Sequence, residues 1–489
     1  MRPFSFIPPD RIDPSREMPI YMQIARAIIH EVERGRLAPG SYLPSTRDAA
    51  QSLGVNRKTV VLAYEELVAQ GWLVSHGTRG TAISPSLPGP VADDGDGLPR
   101  VGEELAPAEY PFLPPPGPPL AIPTGDWIKL DEGAPDGRQF PPDLLIRAYR
   151  AAIRNASAEN RLQYRDPRGS PQLRESIAAM LKSQRGLMVT AENICVTRGS
   201  QMGISLAARI LIRPGDTVLV EALTYEPAVA AFRACGADIV TVGLDGSGAD
   251  VGEIERACRR HRVRAIFLTP HHQFPTTVAL PPESRLRVLE LARQFGFAVV
   301  EDDYDHEFQF GAQPLLPMAS YAPRQVIYIG SLSKLLLPAL RVGYVVAPPE
   351  VIDSIAYQVS LTDGMGNTLT EDAAADLILS GDVRRHTRKV TRIYGARRDA
   401  FAQALATTMG DIVDYAIPDG GLAFWLRFRN VADLDRLEAN AQDHGLRFAT
   451  SGSFMVDPDA PRGLRIGFAS MTEAEAAESL RRMRVAIGR

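Results

Sequence analysis

Lys334 closes the run Ser331-Leu332-Ser333-Lys334, about thirty residues after Glu301-Asp302-Asp303-Tyr304. A lysine amine that can lose its proton is a nucleophile toward an aldehyde. A carboxylate such as Asp302 keeps a nitrogen heterocycle protonated, so that the ring can act as an electron sink. A phenol such as Tyr304 can donate to a ring oxygen, and the hydroxyls of Ser331 and Ser333 can reach a phosphate. Thr197-Arg-Gly-Ser-Gln201 precedes a helical stretch, Met202 to Leu211, so Gly199, Ser200 and Gln201 can turn backbone N–H groups toward an anion. Tyr225 follows an apolar strand and can stack on a ring. Arg341, seven residues after Lys334, can add positive charge at the phosphate. Each signal is weak alone: Ser-x-Ser-Lys is common, and Asp302 by itself reads equally as a cap or a surface carboxylate. Phosphate cradle, stacking ring, acid, phenol and amine, in this order along the chain, are together the parts of a pyridoxal phosphate (PLP) site, with Lys334 holding the cofactor as an aldimine.

These side chains need a scaffold of strand ends and helix starts. Val218 to Val220, Ala265 to Leu268, Ala298 to Val300 and Val326 to Ile329 are apolar, strand-like runs. Between them, Pro282 to Phe295 has helical spacing at Leu286, Leu289 and Leu291-Ala292. Strand and helix in alternation predict an α/β fold with a largely parallel sheet. Asp302 then follows a strand, where open α/β sheets place their ligands.

The first eighty residues are of a different kind. Ile24, Ala27-Ile28 and Val32 form one face of a helix that ends near Gly35. Ser45, three residues before Asp48, opens a short helix reaching Leu53 in the manner of a capping box. Gly54 supplies a turn, and Asn56 caps a third helix with Val60, Tyr64, Leu67 and Val68 inward. Arg57, Lys58 and Val61 are left outward near its start, where a recognition helix meets bases and phosphates. Trp72 to Thr81 then reads as a hairpin with a basic, glycine-containing tip.

At 489 residues the chain exceeds one ordinary domain. Composition divides it into 1–84, a Pro-, Gly- and acid-rich spacer 85–126, and 127–489. So many prolines favour extended, semi-rigid chain. Apolar content of 45% and charged content of 23% suit a globular protein with a sizeable core. A net charge of −4 gives no general attraction to nucleic acid, so DNA binding must rest on a local patch. The three widely spaced cysteines, Cys195, Cys235 and Cys258, read as reduced thiols of a cytoplasmic protein, with no metal-ligand cluster. No signal peptide or membrane span is expected.

Residues 18 to 83 resemble the winged helix-turn-helix of the GntR family, most closely in Gly35-Arg-Leu-Ala-Pro-Gly-Ser-Tyr-Leu-Pro-Ser-Thr-Arg47 and Leu53-Gly-Val-Asn-Arg-Lys-Thr-Val60. The resemblance implies double-stranded DNA contacts from Arg47, from Asn56, Arg57, Lys58 and Thr59, and from His76 and Gly77 in the wing. Residues 127 to 489 resemble a fold-type I aminotransferase domain. Tyr164-Arg-Asp-Pro-Arg-Gly169, Thr269-Pro-His-His-Gln-Phe-Pro275 and Leu464-Arg-Ile-Gly-Phe-Ala469 add to the match. That resemblance implies that Tyr164 reaches the phosphate in a neighbouring subunit, and that Arg465 takes a ligand's carboxylate.

The whole chain thus resembles the MocR/GabR regulators: a mainly α winged helix-turn-helix joined to an α/β PLP domain. It implies a homodimeric transcriptional regulator with a small amino-compound effector, or PLP itself, acting at Lys334. Relatives of this kind that sense γ-aminobutyrate carry an arginine two residues after the stacking tyrosine. Here that position is Pro227, beside Glu226. A working aminotransferase with an autoregulatory DNA-binding domain is the second reading, and a PLP-free dimerisation scaffold the third.

Overall fold

The computed structural model describes residues 7, 12–87, 110–113, 127–311 and 315–488. The chain separates into two compact units, 1–120 and 121–489. The spacer expected over 85–126 lies for the most part outside the described residues. No helix of the described residues is long and apolar enough to cross a membrane.

The first unit is built on α1 (Ile20–Glu33), α2 (Thr46–Leu53), α3 (Arg57–Ala69), β1 (Leu73–Ser75) and β2 (Thr81–Ile83). Both short helices have side-chain caps, which satisfy backbone donors left open by the first turn. Ser45 Oγ accepts from Asp48 N at 3.2 Å, and Asn56 Oδ1 accepts from Lys58 N at 2.9 Å. Gly54 ends α2 in the left-handed region at φ +65, which a side chain would resist. Ile24, Ile28, Val32, Val60, Tyr64 and Leu67 share one buried core with Leu73 and Ile83. The inward face of α3 is completed by Ala63, while Val68, expected inside, is 38% exposed because the helix turns it outward at its last turn. β1 and β2 pair antiparallel, with the tip Gly77–Arg79 between them.

The second unit is organised around a seven-stranded sheet of β3 (Ile194–Thr197), β4 (Thr217–Glu221), β5 (Asp238–Val242), β6 (Val263–Leu268), β7 (Ala298–Asp303), β8 (Val326–Ser331) and β9 (Gly343–Val346). Their spatial order is β3-β9-β8-β7-β6-β4-β5. All neighbouring pairs are parallel except those of β9, which runs antiparallel to both β8 and β3.

Period-two alternation sends side chains to opposite faces of this sheet. Ile266, Val299 and Tyr328 join one core, whereas Phe267, Val300 and Ile329 join the other. Both faces are therefore covered, as a sheet of apolar strands requires. Helix α4 (Ser200–Leu211) packs on the second face, two residues longer at its start than its apolar pattern suggests. Helix α5 (Pro282–Phe295) buries Leu289, Leu291 and Ala292 but leaves Leu286 half exposed. A smaller antiparallel sheet, Val413–Asp414, Ala423–Phe428 and Leu464–Gly467, carries a further core toward the C-terminus.

Candidate functional site

β7 runs through Asp303, so Asp302 lies within the strand's last turn of pleat rather than beyond its end. β8 ends at Ser331, and Lys334 follows in the connection to β9. These adjacent parallel strands bring their C-terminal ends together. The result is a cavity of about 330 Å³ lined by Lys334, Asp302, Tyr304, Tyr225, Ser331, Ser333, Ser200 and Arg341 among others. Of the residues singled out from sequence, Gly199 and Gln201 flank this cavity without lining it. The Gln201 amide is turned to the Pro227 carbonyl at 2.8 Å. Tyr164 is 92% exposed and away from the cavity of its own chain.

The lysine amine is fixed and shielded. Lys334 Nζ donates to the Gly133 carbonyl at 2.8 Å and lies 4.7 Å over the Tyr304 ring. Burial holds its pKa below the ordinary lysine range, against the attraction of Asp305. Burial also pushes the Asp302 carboxyl up to about 8, with Asp303 adding repulsion and Lys334 pulling the other way. Burial raises the Tyr225 phenol to about 12. Tyr304 donates its O–H to the His272 carbonyl at 3.0 Å and accepts from Arg465 Nη2 at 3.2 Å.

At the other end of the cavity, α4 begins at Ser200 after Gly199, whose φ of +78 only glycine adopts easily. A Cβ on Gly199 would meet the Arg341 guanidinium at 3.0 Å, and one on Gly343 would meet Ser200 N at 2.9 Å. The helix start, Arg341 and the β9 start are therefore packed as closely as glycine allows. Arg341 itself sits at φ +50, a left-handed conformation costing of order 1 kcal/mol or more, and donates to the Arg198 carbonyl at 2.9 Å. No carboxylate pairs with it among the described residues.

PLP fits these residues on the structure's own terms. Asp302 Oδ1 and Ser333 Oγ are buried and lack a hydrogen-bond partner. Buried polar atoms are seldom left so, and a ligand is one way to satisfy them. Asp302, Tyr225, Ser331, Ser333, Ser200 and Arg341 line the one cavity, which offers such a group an acid, an aromatic ring, hydroxyls, a helix start and a cation.

Arg465 is only 1% exposed. It donates to the Glu132 carbonyl at 2.8 Å, the Pro275 carbonyl at 3.0 Å and the Tyr304 hydroxyl, and it stacks 4.7 Å over Phe274. Phe274 lines the cavity and Arg465 stands behind it. Gly133, Glu132, Thr269 and Phe274 also line the cavity. Thr269 and Phe274 lie in the Thr269–Pro275 run quoted above but were given no role, and Glu132 and Gly133 were not singled out at all. The one available signal was the Asp131-Glu-Gly133 turn, whose glycine at φ +106 packs against Gly467.

In the first unit, Arg47, Asn56, Arg57 and Lys58 are exposed and Thr59 half-buried, around the α2–α3 turn. Arg57 Nε donates to Thr46 Oγ1 at 3.3 Å, which ties the start of α3 to the start of α2. His76 and Gly77 are exposed at the hairpin tip, and His76 N donates to the Gly80 carbonyl at 2.8 Å.

Comparison with known proteins bears on both units. Residues 125–483 match the family Aminotransferase class I and II, and residues 20–83 match Bacterial regulatory proteins, gntR family. The chain is 28% identical over 476 residues to the probable rhizopine catabolism regulatory protein MocR of Rhizobium meliloti, covering 97% of this chain and 95% of that protein. It is 30% identical over 478 residues to the pyridoxine biosynthesis transcriptional regulator PdxR of Corynebacterium glutamicum, covering 95% of each. Among solved structures it resembles the α-aminoadipate aminotransferase LysN of Thermus thermophilus, crystallised with a phosphopyridoxyl-leucine. The TM-score is 0.68 and the identity 28%, over 74% of this chain and 92% of that one. The kynurenine aminotransferase of Pyrococcus horikoshii gives a TM-score of 0.69 at 28% identity, over 75% and 91%. With a gntR-family winged helix-turn-helix and a class I and II aminotransferase domain of the PLP-binding fold on one chain, this protein belongs to the MocR-type transcriptional regulators.

Proposed function

We propose that the chain is an amino-compound sensor: PLP is held through Lys334, and a small amine entering that cavity alters operator binding by a homodimer in the cytoplasm. The observation that carries this reading is the buried Lys334 amine sharing a cavity with the unpartnered Asp302 Oδ1, on a chain that also bears a winged helix. PLP, when bound, supplies an aldehyde that captures primary amines reversibly.

The chain's own residues do the rest. Lys334, buried and depressed in pKa, is neutral at a lower pH than a free lysine and so is available as a nucleophile. Asp302 holds the ring nitrogen, Tyr225 stacks, Tyr304 orients the ring oxygen once its O–H has turned from the His272 carbonyl, and Ser331, Ser333, Ser200, Arg341 and the backbone at Gly199 and Gln201 bind phosphate, with the partner subunit's tyrosine at position 164 completing the site. Arg47, Asn56, Arg57, Lys58, Thr59, His76 and Gly77 face DNA. An effector shifts DNA affinity only by its differential affinity for the two arrangements, typically about 1–3 kcal/mol.

The test uses DNA selected from a random library by the protein itself. Affinity is read by fluorescence anisotropy with PLP, with and without a panel of amines. The expected result is an amine-dependent change of about tenfold in the wild type that is lost in Lys334→Ala. A Lys334→Ala protein that responds as the wild type does would show a PLP-independent scaffold instead. The aminotransferase reading draws on the complete cavity set, but Arg465, its carboxylate holder, would first have to leave three protein oxygens.

A further inference from the structure

Glu132 puts a carboxylate in the Lys334 cavity that the protein itself does not use. Its backbone is committed: the Glu132 carbonyl accepts from Arg465 Nε at 2.8 Å, and the next carbonyl, Gly133, accepts from Lys334 Nζ at 2.8 Å. The segment is thus held directly beside the amine. The side chain is half-buried, lines the cavity, and has no hydrogen bond or ion pair among the described residues. After burial and Asp302, its charge is a further cause that raises the Tyr225 phenol.

The other acids lining the cavity are differently placed. Asp131 accepts from Gly133 N at 2.7 Å, Ala134 N at 2.5 Å and the Ser470 hydroxyl. Asp302 lies deep, fully buried, on β7. Of the cations besides Lys334, Arg465 is engaged behind Phe274, Arg341 donates to the Arg198 carbonyl at 2.9 Å, and Lys129 is exposed at the rim; none pairs with Glu132. An amine that takes the place of Lys334 Nζ therefore shares its cavity with an unpaired, half-buried carboxylate. Such a group binds a cation more strongly than a fully exposed one does.

We propose that Glu132 selects effectors carrying a second cationic nitrogen, the diamine and diamino-acid class, over monoamines and ω-amino acids. This rests on the reading that an amine enters at Lys334.

The experiment is an absorbance titration of the full-length, PLP-loaded protein with 1,4-diaminobutane and 2,4-diaminobutanoate, against butylamine and 4-aminobutanoate. Half-saturation is expected at concentrations about tenfold lower for the diamino compounds, and Glu132→Gln should remove most of that ratio. Equal half-saturation across the four compounds in the wild type overturns the proposal without any variant. So does a ratio that Glu132→Gln leaves intact; in both cases the Lys334 reading stands. A spectrum that no amine perturbs removes the Lys334 reading, and this inference with it.

Discussion

Asp303 and Arg185 form an ion pair at 2.6 Å, both almost wholly buried, on the opposite face of β7 from Asp302. Tyr328 donates its O–H to the same Asp303 oxygen at 2.7 Å. Burial alone would raise Asp303; the Arg185 cation outweighs it and holds the carboxyl well below its usual range. Nearby His271 and His306 are lowered by burial to about 3 and about 4, so both are neutral at pH 7 and Arg185 carries the pair. The charge on Asp303 in turn helps keep its neighbour Asp302 protonated.

Removing Arg185 leaves Asp303 charged and unpaired in the interior. Arg185→Met should cost about 3–5 kcal/mol of stability, read by chemical denaturation. A loss under about 1 kcal/mol would mean that Tyr328 and water suffice for Asp303.

The buried acids set the pH dependence of the cofactor-free protein. Burial raises Asp302 and Glu221 to about 8 and Glu301 to about 7. Unfolded, each would titrate near the ordinary value of about 4. Between those limits the folded state keeps protons that the unfolded state has released, so these groups lower stability as pH rises. Asp303 has the opposite sign: its stabilisation is present above about pH 4 and is lost in acid. His271 and His306, held neutral, add stability as pH rises to about 6.5, so thermal melts from about pH 6.5 to 8.5 should show the falling Tm, flatter in Asp302→Asn. A Tm that climbs across that interval contradicts this assignment of the buried acids.

The phosphate end of the cavity depends on a close approach of backbones. In Gly343→Ala the new methyl would stand 2.6 Å from the Gly199 carbonyl carbon and 2.9 Å from Ser200 N, so the start of α4 must move. PLP affinity, measured by absorbance after equilibrium dialysis, should fall about tenfold or more while the fold survives. Unchanged affinity would place the phosphate elsewhere.

On the DNA side, Arg57→Ala and Lys58→Ala should each weaken binding and reduce the slope of log affinity against log salt by about 0.9 for each phosphate no longer neutralised. PLP uptake should stay at the wild-type level. Loss of PLP in either variant would show that the two units are less independent than proposed.

Much of the fold and of the candidate site was readable in the chain because its residues sit at strand ends and helix starts, which local pattern marks. The helix start at Ser200 and the caps at Ser45 and Asn56 were legible that way, as was the placing of Asp302 and Lys334 at neighbouring strand ends. Long-range partners were not readable. Gly133 lies 201 positions from the Lys334 it binds, and Arg185 118 from Asp303. Nothing in a local window signals either pairing. Val68 was misplaced because helical periodicity says which face a residue occupies, but not where the neighbouring core stops.

The most direct measurement is the absorbance of the PLP-loaded protein followed for hours after an amine is added. A sensor should show a visible band that shifts with a particular amine and then holds, with no keto product. Decay of the band to the pyridoxamine form, with keto acid or aldehyde released over many turnovers, would contradict the sensor role and identify a working aminotransferase.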